Sequence, residues 1–86
     1  MSNNLVKAVA QSIRSLRQER GLTQEDLADK AGLDRTYISG VERAVRNITL
    51  ESLEQIINAL GVDLPTFLMK VSAEINDLSN KHKGKH

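Results

Sequence analysis

Eighty-six residues, 40% of them hydrophobic, make one small domain with a modest core, because a chain of this size buries only about 60–65% of its unfolded surface. There is no cysteine, which excludes a disulfide scaffold and zinc-finger chemistry. The net charge of +1 names no partner, no apolar run approaches the roughly 20 residues of a membrane span, and the start MSNNLVKAVA lacks a charged region followed by an apolar signal core, so a soluble cytoplasmic protein is expected.

In chain order, Leu5, Val6, Val9, Ile13 and Leu16 recur at helical spacing and Gly21 stops the run, which predicts a first helix whose inner stripe is core. On its outer face Lys7, Arg14 and Arg20 are solvated or reach a phosphate. Arg17 is different: an arginine directed toward the apolar side needs a partner or an escape to solvent. A second helix starts at Thr23, a hydroxyl N-cap with Asp26 placed to return its hydrogen bond, and Leu22 can staple onto Leu27. Glu25 and Asp26 in its first turn and Lys30 in its last suit the helix dipole, and Gly32 supplies the sharp turn that ends it.

A third helix follows at once with Asp34 as N-cap and Leu33 stapling onto Ile38. Leu27, Ala28 and Ala31 on one helix then face Ile38 and Val41 on the other. Residues 44–48 lack proline and glycine and are expected to form an ordered loop held by Val45 and Ile48. Thr49 caps a fourth helix with Leu50, Leu53, Ile56, Ile57 and Leu60 inward, and Gly61 ends it. The fifth begins at Asp63, with Pro65 tolerated in the first turn. Its apolar residues Leu64, Leu68, Val71, Ile75 and Leu78 follow a coiled-coil-like spacing. Phe67 closes the core, but little of the monomer is expected to cover Val71, Ile75 and Leu78, so a two-fold partner is the natural occupant.

What remains outward on the third helix is Arg35, Thr36, Tyr37, Ser39 and Arg43, with Arg46 and Asn47 just beyond. Such a helix start suits a major groove about 12 Å wide, where arginine forks onto guanine O6 and N7 and a threonine methyl or tyrosine ring touches a thymine methyl. Gln24, in the first turn of the preceding helix, stands where an amide and free N–H groups grip a phosphate. The charge pattern agrees, with +2 over residues 1–48, −4 over 49–78 and +3 over 79–86. The middle segment is therefore expected to lie off the DNA. Residues 79–86 read as a flexible basic tail after a 1–78 domain; its Lys81, Lys83 and Lys85 are solubilising or touch flanking phosphates, and His82 and His86 make a poor metal site. No carboxylate pair with histidine and no glycine-rich phosphate loop occurs at useful spacing, so neither an enzyme nor a cofactor is expected.

Three motifs carry a resemblance: TQEDLADKAGL at 23–33, YISGVERAVRN at 37–47 and LESLEQIINALGVDL at 50–64. Residues 9–69 resemble the helix-turn-helix domain of lambdoid phage repressors and Cro, and the string LDRTYISGVERAVRNITLESLEQI is most similar to the controller proteins of restriction–modification systems. The resemblance implies an all-α, five-helix lambda-repressor-like domain that binds near-palindromic double-stranded DNA as a homodimer through its fifth helix (Leu64, Leu68, Val71, Ile75). By position it implies base reading by Arg35, Thr36 and Ser39, backbone contacts from Gln24 and Tyr37, and a partly buried ion pair between Arg17 and Glu42. Arg43, Arg46 and Asn47 are placed for further contacts to the DNA backbone. Gly40 departs from the pattern, standing where some repressors carry a reading side chain. The controller resemblance also implies activation and repression of the chain's own gene and an endonuclease gene, with RNA polymerase touched near Glu25, or Glu51 and Glu54. The alternative is an antitoxin that masks a toxin with the residues beyond Leu68 and represses its own operon.

Overall fold

The computed structural model describes residues 4–83, with side chains described over residues 4–79, and the elements among them are five helices: α1 (Asn4–Glu19), α2 (Gln24–Ala31), α3 (Arg35–Glu42), α4 (Leu50–Leu60) and α5 (Leu64–Lys83). Ile13, Leu27, Ile38, Ile56, Leu60 and Phe67 are the largest apolar side chains at the centre of one core to which every helix contributes. The most extensive helix pairing is α1 against α5, while α2 packs against both α3 and α4.

Local chemistry sets the boundaries. The Thr23 hydroxyl accepts the Asp26 N–H at 3.0 Å and the Asp26 carboxylate accepts the Thr23 N–H at 3.0 Å, so the capping box closes in both directions. The Thr23 N–H, together with the hydroxyl, holds the Asp26 carboxyl below the usual carboxylate range. Thr49 caps α4 through the Ser52 N–H, and the Asp63 carboxylate caps α5 through the Thr66 N–H at 2.8 Å. Asp34 occupies the extended N-cap position of α3, but its side chain makes no cap hydrogen bond. Gly32 takes the left-handed conformation, φ +71°, that permits the turn between α2 and α3, and the Leu33 N–H closes it on the Ala28 carbonyl at 2.9 Å.

Several apolar residues lie elsewhere than their spacing suggested. Val71 is only 5% exposed, and Ile75 and Leu78 are half-buried against the core. The fifth-helix stripe already has a partner within the chain, because α1 lies along it. The interface expected from Leu64, Leu68, Val71 and Ile75 therefore divides: Leu64 and Leu68 face outward, and the other two face the core. Leu50, expected inside α4, is 85% exposed. It shares the stripe of Leu53 and Ile57 but sits in the first turn of the helix, beyond the reach of the core. Leu5 and Val6 in the first turns of α1 are likewise exposed, and Val45 projects from its loop, leaving Ile48 as the loop's apolar anchor. Helix α5 continues past Leu78 to Lys83, into the segment expected to be a tail. The side chains of Lys81, His82 and Lys83, and residues 84–86 with Lys85 and His86, lie outside what is described.

Candidate nucleic-acid interface

Helix α3 presents its faces according to a turn of about 100° per residue. Ile38, Val41 and Glu42 point into the protein and are buried, whereas Arg35, Thr36 and Arg43 on the opposite side are exposed and Ser39 and Tyr37 are half-exposed. Arg35 and Thr36 stand in the first turn, clear of the protein, beside main-chain N–H groups that the Asp34 side chain leaves uncapped. Among the described residues no ion pair engages Arg35, Arg43 or Arg46. Their charges are therefore available to phosphates or to a guanine edge.

Behind this face Arg17 and Glu42 meet in a bidentate pair, Nε to Oε2 at 2.6 Å and Nη2 to Oε1 at 2.9 Å, with side chains 12% and 3% exposed. Arg17 Nη1 also donates to the Leu22 carbonyl at 2.8 Å. The hydrogen bonds to Glu42 raise the guanidinium pKa above its ordinary value, against the opposing effect of burial. Gln24 Nε2 donates to Glu42 Oε1 at 3.1 Å, which places the Gln24 amide at the junction of α2 and α3 instead of free in solvent. The end of α1, the start of α2 and the end of α3 thus converge on one carboxylate.

The loop after α3 brings an arrangement that spacing did not reveal. Ala44 is left-handed, φ +60°, and the N–H groups of Ala44 and Val45 bond back to the carbonyls of Val41 and Gly40, each at 3.0 Å. Arg46 consequently returns over α3, with its guanidinium 5.6 Å from the centroid of the Tyr37 ring. Asn47 is exposed in the same loop. A pattern search marks helix turns of this kind by glycine, and alanine gave no such mark.

A second surface lies on the other side. Leu5, Val6, Leu50 and Leu68 line a shallow apolar groove of about 490 Å³, and Leu50 and Leu64 line a second depression that runs along α4 to the start of α5. No cluster of metal-ligating side chains occurs among the described residues, nor is any single helix there long and apolar enough to cross a membrane.

Comparison with known proteins identifies the family. Residues 13–67 match the helix-turn-helix family. The chain is 40% identical to the control protein C.SmaI of Serratia marcescens, over 78% of this chain and 80% of that one. It is 43% identical to the control protein C.BamHI of Bacillus amyloliquefaciens, over 72% and 78%. The restriction–modification controller protein C.Esp1396I, solved as a tetramer with its natural 35-base-pair operator, is 48% identical and superposes with a TM-score of 0.82 over 87% of this chain and 97% of that one. The antitoxin alternative finds no support in these likenesses. The chain therefore belongs to the helix-turn-helix family of non-enzymatic DNA-binding transcription regulators, within its restriction–modification controller proteins.

Proposed function

We propose that the chain is the controller protein of a restriction–modification system, acting in the cytoplasm as a homodimer on near-palindromic operators, where it activates and represses its own gene and that of the endonuclease. The observation that carries this reading is the unpaired, exposed first turn of α3, with Arg35 and Thr36 side by side. Arg35 and Thr36, with Ser39 one turn on, read bases. Gln24, Tyr37, Arg43 and Asn47 contact the sugar–phosphate backbone, the Gln24 amide directed by its bond to Glu42. The exposed carboxylates of Glu25, or of Glu51 and Glu54, serve RNA polymerase. Leu50, Leu64 and Leu68 form the two-fold contact that sets the two α3 helices about 34 Å apart, one turn of DNA.

Selection of duplexes from a random pool, followed by anisotropy titrations on the selected and a scrambled duplex, tests the reading. The selected site is expected to be a near-palindrome held far more tightly than the scramble. Arg35→Ala costs about 1–3 kcal/mol on the selected duplex alone and relaxes one position of each half-site. Equal losses on both duplexes reduce Arg35 to a backbone contact, and equal binding of the two by the unaltered chain ends the proposal.

A further inference from the structure

Gly40 falls on the outward face of α3, between Thr36 one turn before and Arg43 one turn after, yet it is buried. The group that covers it is Arg46: a Cβ added at Gly40 would lie 2.5 Å from Arg46 Cγ, 3.3 Å from Nε and 3.4 Å from Cδ. The stem of Arg46 thus crosses the helix in the space that a side chain at position 40 would fill. Its guanidinium ends over Tyr37. The left-handed turn at Ala44 folds the loop back and makes the crossing possible.

We infer that Gly40 is a positioning residue that seats Arg46 across the recognition face of α3, where Arg46 acts as a groove-facing, base-reading group in place of the side chain the helix lacks. The inference rests on α3 being the DNA-reading helix. It reassigns Arg46 from the phosphate contact that its sequence position suggested. A phosphate also takes a forked arginine but offers its oxygens over a wide range of directions, whereas a base edge in the groove must be met in plane, so the fixed stem matters more for a base. A stem held over a glycine and a guanidinium held against a ring lose less rotamer freedom on docking. The cation–π contact with Tyr37 uses no N–H hydrogen bond, and no ion pair among the described residues holds the guanidinium, so its donors stay free to fork onto guanine O6 and N7.

Gly40→Ala is the direct probe. The added methyl meets Arg46 at Cγ, so the arginine must swing off α3; alanine's preference for helix offsets part of that lost packing, and the chain is expected to stay folded with a midpoint shifted by no more than several degrees. Affinity is read on a duplex selected with the unaltered chain and on a scrambled one. The expected result is a loss of about tenfold on the selected duplex, little change on the scramble, and relaxed preference at one position of each half-site when selection is repeated. In an Arg46→Ala background the same Gly40→Ala change is expected to cost nothing further. The inference is overturned if Gly40→Ala binds like the unaltered chain, if its loss persists undiminished without Arg46, so that the methyl itself obstructs DNA, or if Arg46→Ala weakens both duplexes alike. An unaltered chain that cannot tell the selected duplex from the scramble removes the reading of α3 itself, an outcome distinct from these three.

Discussion

Glu42 accepts three hydrogen bonds, two from Arg17 and one from Gln24, and its position at the end of α3 makes it the point at which that helix is tied to α1 and α2. The carboxylate and guanidinium are both removed from most of their water, so the pair is costly to break and cheap to replace. Arg17→Ala is expected to lower stability by about 3 kcal/mol, because it strands a buried charge. A thermal scan should show the midpoint fall by more than about 10 °C. Replacing both partners, Arg17→Met with Glu42→Leu, should recover most of that loss. A single variant that melts with the unaltered chain would mean that the pair is solvated in solution. The inward aim of Arg17 was legible from its place in the first helix, but Glu42 became its partner only through resemblance. No local rule links two residues separated by 25 positions.

Among the elements, capping chemistry carried the most information, since Thr23 with Asp26, Thr49, and Asp63 each act on an N–H three residues ahead. Such contacts are local, so sequence spacing locates the N-cap positions, although Asp34 holds its position at α3 without the side-chain bond. The hydrogen bonds from Thr66, side chain and main chain, lower the Asp63 carboxyl pKa below its ordinary value of 3.8. Because the folded value is the lower one, the cap's contribution is fully present above the unfolded pKa and is lost as pH falls through the folded pKa. Asp63→Asn keeps a capping oxygen without the titration. Its melting temperature should fall less than that of the unaltered chain between about pH 5 and pH 2, and parallel curves would show that Asp63 plays no part in acid unfolding. The end of α3 was the opposite case. Ala44 adopts φ +60° with a side chain that penalises it. Ala44→Gly is expected to stabilise by up to about 1 kcal/mol, raising the midpoint by several degrees. A lower midpoint would show the left-handed turn to be unstrained. Without that turn Arg46 cannot be foreseen lying on Gly40, so which side chains of α3 are exposed could be read from helical spacing but what the following loop lays over them could not.

At the scale of the molecule, periodicity identifies which side chains share a face but not which neighbour covers it. The apolar stripe of α5 was assigned to a partner subunit, and the chain covers its second half with α1. What stays uncovered is the apolar ground around Leu50, Leu64 and Leu68, beside the groove that Leu5 and Val6 help to line. The two positions Val71 and Leu68 consequently make opposite predictions. Val71→Glu places a charge inside the core and should prevent stable folding. Leu68, 55% exposed, can become glutamate with little harm to the monomer, but in a two-fold contact it meets its own counterpart or the partner's apolar face. Leu64→Glu combined with Leu68→Glu should therefore give a folded chain that sediments as a monomer at micromolar concentration. It should hold a single half-site as the unaltered chain does, while losing about 100-fold or more on the full palindrome, because the second half-site no longer arrives tethered to the first. If that variant still sediments as a dimer, the contact lies on another face; if it unfolds as Val71→Glu does, the two leucines belong to the core.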